Sequence, residues 1–420
     1  MKKIGLIVRV IAFGILALIT TTTDASAKWT AKADVSTFYK GRWGAQVFSV
    51  GGKIYVSGGY ADNDINMNDI VSYDPATDIW GYHNPLPGTV TNRTGGVAFT
   101  IDGKAYLGLG VENFNNFTSP WTFPTDLWQY NDANDTWTKK ADFPGTGVGF
   151  AACFVVNNKA YVIGGQAGKF SSDGTNKVYE YDPATDKWTE KTTFPRAIVI
   201  SPFAFTLNGK GYIVGGADGS GNTKKTYEYD PTANTWTEKK AFPEAETNGG
   251  VAFVANGKAY CGLGRVGTNK YLQYFWAYNP TTDSWSYADG FEFSADSRMY
   301  GVAATLDGKA YIGAGWQYDG SAQHYYRDWY QVDPSVATSV NNIESNTGII
   351  IYPNPASSTI HVSAADEYNN YSISNITGQV ELQGTLTNDK SINVSSLAAG
   401  QYIISLTSED REKHTMITVR

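Results

Sequence analysis

One ten-residue phrase is written six times along this 420-residue chain. Its copies occupy residues 50–59, 101–110, 156–165, 207–216, 255–264 and 306–315, each with lysine fourth, tyrosine sixth and glycine last. The lysines Lys53, Lys104, Lys159, Lys210, Lys258 and Lys309 are 51, 55, 51, 48 and 51 residues apart. A period near 50 makes each repeat one small unit that must bury its apolar face on its neighbours.

Each repeat contains four strand-like runs, called a to d. In the third, strand a ends at Val156, Asn157-Asn158 turns, strand b runs to Gly164-Gly165, strand c covers 177–181, and Asp182-Pro183 turns into strand d at 187–190. The a–b turns are Gly-Gly, Asp-Gly, Asn-Asn or Asn-Gly pairs, residues that accept the positive φ of a type I′ hairpin. Tyr73, Tyr130, Tyr181, Tyr229 and Tyr278 are each followed seven residues later by Trp80, Trp137, Trp188, Trp236 and Trp285. The sixth repeat has Val332-Asp333-Pro334 but Ser339 in the Trp position. The missing strand d stands at the other end of the chain, where Lys28-Trp-Thr-Ala-Lys32 matches Lys187-Trp-Thr-Glu-Lys191. Ring closure by the N-terminal segment is the expectation, since it removes the free edges of an open array.

The paired glycines ending strand b, the aromatic before the Asp-Pro turn and the Trp of strand d resemble kelch repeats over residues 28–335. The resemblance implies an all-β, six-bladed propeller. Repeats two, five and six carry Gly-x-Gly in place of Gly-Gly, which predicts a different backbone at the top of those b strands.

Residues 1–27 begin with Lys2 and Lys3, continue through an apolar run over 10–19 and end in Ala25-Ser-Ala27, the order of a cleaved secretory signal. Losing Lys2, Lys3, Arg9 and Asp24 leaves 30 basic and 39 acidic residues, a charge that argues against nucleic acid as partner. No other segment is apolar enough to span a membrane, so no transmembrane segment is expected after cleavage. Cys153 and Cys261, in repeats that are not neighbours, read as small core residues rather than a disulfide.

Residues 336–348 are polar and read as a linker. Alternating runs over 349–420 suggest a small Ig-like β-sandwich. Tyr352-Pro-Asn-Pro355, the Gly378 turn and the Leu397-to-Tyr402 stretch resemble the type A C-terminal sorting domain of the bacterial type IX secretion system. The resemblance implies export through the periplasm, with that machinery as partner, to the medium or the outer cell surface.

Catalytic signatures are absent: there is no His-Glu-x-x-His, Gly-x-Ser-x-Gly or Cys-x-x-Cys. His83 and His324 read as solvent-facing. Asp62-Asn-Asp64-Ile-Asn66-Met-Asn68-Asp69 lacks the sixth-place Gly and twelfth-place Glu of a calcium loop, so it reads as a polar loop. The oxidase chemistry of the kelch enzyme galactose oxidase needs a clustered His pair and a Cys–Tyr cross-link, neither of which the pattern offers. No metal or cofactor is expected.

The site expectation comes from blade geometry. Arg42, Arg93 and Arg298 stand eleven residues before their repeat lysines, at the mouth of strand a in three consecutive blades. Convergence of their guanidinium groups, with Trp121, Trp316 and Tyr318 nearby, predicts a top-face pocket for an anionic glycan or a protein ligand. Binding without catalysis is the leading expectation. The alternative is a sugar mutarotase resembling the N-acetylneuraminate mutarotases, also six-bladed kelch propellers, with Glu112, Glu244 and Glu246 as acid/base candidates.

Overall fold

The computed structural model describes residues 29–35, 41–61, 65–87, 93–114, 120–217, 221–266, 270–288, 291–335, 351–362, 368–375, 379–387, 389–408 and 412–420. The expected signal segment and linker lie outside them. Among the described residues the chain is strand and turn, with short 3-10 turns at Ser171–Asp173 and at residues 334–335.

Six four-stranded antiparallel sheets carry the repeats. Blade one is Gln46–Val50, Lys53–Ser57, Ile70–Asp74 and Ile79–His83. Blade two is Val97–Ile101, Lys104–Gly108, Leu127–Asn131 and Thr136–Lys139. Blade three is Ala152–Val156, Lys159–Ile163, Val178–Asp182 and Lys187–Glu190. Blade four is Phe203–Leu207, Lys210–Val214, Thr226–Asp230 and Thr235–Lys239. Blade five is Val251–Ala255, Lys258–Gly262, Phe275–Asn279 and Ser284–Tyr287. Blade six is Val302–Leu306, Lys309–Gly313 and Trp329–Val332, with the N-terminal Thr30–Lys32 as its outermost strand, Thr30 opposite Gln331 and Lys32 opposite Trp329.

The a–b turns have positive φ at both central residues, for example 49° and 69° at Asp102-Gly103, as a type I′ turn demands. In the c–d hairpins of blades one, two, three and five the repeated Tyr and Trp form an inter-blade latch, whereas in blade four the Trp236 indole has no hydrogen-bond partner among the described residues. The Tyr181 hydroxyl donates to Asp186 (2.7 Å), Asp186 accepts the backbone N–H of Ala141 (3.0 Å), and the Trp188 indole donates to the Ala141 carbonyl (2.9 Å). The same three bonds run from Tyr73, Asp78 and Trp80 to Ala33, and from Tyr278, Asp283 and Trp285 to Lys240. Trp29 takes the place of the last Trp. It meets Phe293 edge-on (5.1 Å, 84°), as Trp188 meets Phe143 (5.2 Å, 88°).

Two circles of backbone hydrogen bonds stitch the blades at the top. In the inner circle each residue nine before a repeat lysine donates to its counterpart in the preceding blade: Gly44 to Tyr300, Gly95 to Gly44, Phe150 to Gly95, Ser201 to Phe150, Gly249 to Ser201 and Tyr300 to Gly249, at 2.6–3.0 Å. In the outer circle the last glycine of each phrase donates across the interface: Gly59 to Arg93, Gly110 to Val148, Gly165 to Val199, Gly216 to Thr247, Gly264 to Arg298 and Gly315 to Arg42, at 2.6–2.8 Å. These six glycines sit at φ of 84–99°, and a Cβ there would meet a backbone carbonyl at 2.8–3.0 Å. The residue before each is left-handed in every blade, whether Gly58, Gly164 and Gly215 or Leu109, Leu263 and Ala314 at 54–57°. The expected backbone difference in blades two, five and six is therefore absent. The two circles hold the conformation and the side chain bears the strain.

Residues 351–420 form two antiparallel sheets around a core of their own. One is Ile351–Tyr352, Thr359–Val362 and Ser391–Asn393. The other is Val380–Thr385, Asn370–Asn375, Gly400–Thr407 and Glu412–Val419. Ile360, Val362, Ile373, Ile392, Ile404 and Ile417 fill the space between them. Tyr352 instead joins the cluster of Trp276 and Tyr274 in blade five.

Candidate functional site

The three arginines do not form an open anion cradle. Arg42, Arg93 and Arg298 are 2%, 3% and 0% exposed, and each is neutralised by the aspartate that precedes strand c of its own blade. Arg42 makes a fork to Asp69 (2.8 and 2.7 Å) and donates to the Gly58 carbonyl (3.1 Å). Arg93 pairs with Asp126 at 2.9 Å and lies 3.7 Å from Glu112. Arg298 forks to Asp328 and lies 4.0 Å from the Tyr326 ring centroid. An unpaired guanidinium at such depth would cost several kcal/mol, about what breaking a buried pair costs. The other blades show that the position is structural. Val148, Val199 and Thr247 are as buried as the arginines, and Lys177, Lys225 and Tyr274 then replace the aspartate.

The expected catalytic carboxylates are scattered. Glu112 accepts a hydrogen bond from the Thr122 hydroxyl (2.9 Å) beside Arg93. Glu246 is exposed, next to buried Thr247. Glu244 is not at the mouth: its carboxylate lies under Tyr352 and accepts from the Trp276 indole (2.9 Å) and the Tyr274 hydroxyl (3.1 Å). His83 does not face solvent alone. It is half-buried between the Ser72 and Tyr130 hydroxyls (2.7 and 3.1 Å), and burial pushes its pKa down. His324 is exposed and lies 2.8 Å from Asp319. Residues 62–64 of the acidic loop fall outside the described residues, and Asp69 is committed to Arg42. Among the described residues no His/Cys/Asp/Glu group has the arrangement of a metal site. Burial raises the pKa of both free thiols.

What converges at the mouth is aromatic. The inner circle runs Gly44, Gly95, Phe150, Ser201, Gly249, Tyr300, and three of its members carry side chains at positive φ: Phe150 (57°), Ser201 (51°) and Tyr300 (53°). Phe150 and Tyr300 meet across the axis, centroids 5.6 Å apart. Trp43 packs on both, and also on Phe114 (5.2 Å) and Trp316 (6.1 Å). Trp121 joins through Phe114 at 4.7 Å, with the Lys169 ammonium 5.9 Å from its ring. Tyr318 stands further out, on the Trp316–Tyr318 hairpin, where its N–H donates to the Tyr271 hydroxyl (3.2 Å).

Polar groups beside this floor lack protein partners. The Trp316 and Trp121 indole nitrogens, Asn248 Oδ1 and Arg265 Nε are buried with no hydrogen-bond partner. Arg265 has no ion-pair partner among the described residues, and it acts electrostatically on the Tyr300 phenol, whose pKa burial raises. The sequence reading therefore found two of the mouth's residues, Trp121 and Trp316, and missed Trp43, Phe150, Tyr300 and Arg265. The available signal was the comparison of residues nine before each repeat lysine, where three glycines give way to Phe, Ser and Tyr.

Family profiles match most of the chain in pieces: the KLHDC2/KLHL20/DRC7 kelch-repeats domain over residues 140–315, the kelch motif over 44–80, and the secretion system C-terminal sorting domain over 350–420. Among curated relatives, N-(sulfonatooxy)prop-2-enimidothioate sulfolyase of Thlaspi arvense is 31% identical over 42% of this chain and 54% of its own length. Kelch-like protein 35 of Mus musculus is 26% identical over 44% and 29%. N-acetylneuraminate epimerase of Yersinia enterocolitica is 33% identical over 29% and 30%. The matched stretches thus span about half, or less, of these relatives. The solved structure titled "Structure of YjhT" superposes over 69% of this chain and 99% of its own, at a TM-score of 0.56 and 17% identity, a likeness of fold. The chain is an all-β kelch-repeat propeller. It carries a secretion-system sorting domain at its C-terminal end and is in consequence a kelch protein for export to the cell surface or the medium.

Proposed function

We propose that the exported propeller is a binding protein whose aromatic mouth takes a glycan with an acidic sugar. The observation that carries this reading is the set of buried polar atoms left without partners around Trp43, Tyr300 and Trp316. Ring faces suit the apolar faces of sugars, the Trp316 indole and Asn248 supply a donor and an acceptor, and Arg265 offers a guanidinium to a carboxylate. Export follows the type IX route through the periplasm, by way of residues 349–420, after removal of residues 1–27. A panel of acidic and neutral glycans presented to the full chain tests the reading. Binding of an acidic glycan that Trp316→Ala weakens at least about tenfold is expected, the order of a lost stacking and hydrogen-bonding contact. No binding across the panel, or binding indifferent to Trp316, contradicts it.

The second reading is sugar mutarotation, favoured by the kinship with N-acetylneuraminate epimerases. Glu112 and Glu246 remain as acid/base candidates on that reading, and Glu244 does not. NMR saturation transfer between the two anomers of sialic acid decides it: exchange above the buffer rate supports mutarotation, and exchange at the buffer rate leaves binding alone.

A further inference from the structure

In the three-stranded sheet of the C-terminal domain, Ile351, Ile360 and Val362 point into that domain's own core. Strand alternation therefore sends Tyr352 and His361 to the opposite face. An outward tyrosine on so small a domain should be wet, yet Tyr352 is only 7% exposed. The propeller buries it. Its ring is stacked between His361 (5.6 Å, 26°) and Tyr287 (5.2 Å, 28°). Trp276 (5.0 Å) and Tyr274 (5.7 Å) close the sides. Its hydroxyl faces Glu244, the carboxylate that already accepts from Trp276 and Tyr274.

Blade five is built differently from its neighbours at this spot. The residue before strand c and the residue two after the Trp of the facing d strand are Lys177 and Glu190 in blade three, Lys225 and Glu238 in blade four, and both pairs are exposed salt bridges. Blade five has Tyr274 and Tyr287 in those two places. After the shared Phe-Pro pair, where blades three and four have Gly145 and Arg196, blade five has Glu244. Three departures at one place convert a solvated ion pair into an aromatic-walled socket with an acceptor at its base. An apolar socket of this kind on an exported protein is a liability unless something covers it. The element that covers it is Tyr352.

We propose that blade five is the docking surface for this chain's own C-terminal domain, with Tyr352 as the plug, and that docking hides the ring of Tyr352, the first residue of the Tyr352-Pro-Asn-Pro355 stretch, from any other partner. The propeller and a second protein then compete for one ring. A partner that reads this stretch binds only after the domain has swung off the blade.

The test uses the full chain and two variants, Tyr352→Ala on the plug and Tyr287→Ala on the socket, the latter leaving the C-terminal domain's sequence untouched. Solvent exchange of the Trp276 indole N–H is read by NMR and the radius of gyration by X-ray scattering. Both variants should speed Trp276 exchange about tenfold or more, as expected when a local cover opens, and should enlarge the radius, while amides in Asn370–Asn375 and Gly400–Thr407 keep their protection. Wild-type exchange and wild-type dimensions in both variants would overturn the proposal. So would a native protein that already scatters as two separated bodies.

Discussion

At the scale of the residue, the arginines show how a correct placement leads to a wrong role. Their position at the top of strand a was legible. Their neutralisation was legible too, because Asp69, Asp126 and Asp328 precede strand c only in the blades that carry Arg. A charge this deep is matched within the chain, and the pair is then structural. Asp69→Ala is expected to cost about 3–5 kcal/mol by leaving Arg42 buried and alone. The double change Arg42→Val with Asp69→Lys, which copies blade three, should cost far less. Equilibrium urea unfolding checks both, and equal losses would contradict the pairing. Glu244 gives a prediction in pH. Burial holds its carboxyl above the ordinary range despite Lys270 and the bonds from Trp276 and Tyr274. The folded protein therefore keeps a proton that the unfolded chain has lost. That contribution is present at low pH and is lost as pH rises through the raised value. His361, lowered by burial, has the opposite slope, losing stability as pH falls. Glu244→Gln removes only the first slope. Its melting temperature should gain on the native protein's between about pH 4, the ordinary carboxylate range, and pH 8, and a constant difference would contradict the assignment.

At the scale of the element, periodicity and turn chemistry were the most informative. Type I′ turns, the Tyr-to-Trp spacing and the stray strand at residues 28–32 are local signals, written in the residues that form the turn or latch. What local reading could not supply was the pair of hydrogen-bond circles. They join residues from different blades, far apart in the chain, and force Leu109, Leu263 and Ala314 into the backbone that glycine adopts elsewhere. Ala314→Gly, which gives up a single methyl, should accordingly be neutral or slightly stabilising in thermal unfolding, whereas Gly110→Ala should destabilise by a few kcal/mol, since its Cβ would meet the Thr94 carbonyl at 2.8 Å. Trp29→Ala is expected to cost roughly 3–5 kcal/mol, the range for emptying a large aromatic site. Thermal and urea unfolding measure it, and a loss below about 1 kcal/mol would mean that the N-terminal strand contributes little to blade six.

At the scale of the molecule, the propeller and its tail were legible as two patterns, and their contact was not. Tyr352 reads as one letter of the tail's signature, and nothing in that tail alone says that its ring is spent on blade five. The signal lay in the propeller, where blade five gives up its Lys–Glu pair. Removing residues 349–420 should therefore do two things: stop the protein short of the medium, and leave the blade-five socket open. Cell fractionation reads the first, and undiminished secretion would contradict the export reading. The mouth was half legible, because aromatic residues are common throughout the chain and only the axis decides which of them meet. Isothermal titration of the full chain with an acidic glycan and its neutral counterpart, repeated with Arg265→Ala, tests that site most directly. The account predicts that Arg265→Ala weakens the acidic glycan by about 10- to 150-fold, the range for a hydrogen bond to a charged group, and leaves the neutral one unchanged. Equal affinity of native and variant protein for the acidic glycan would contradict it.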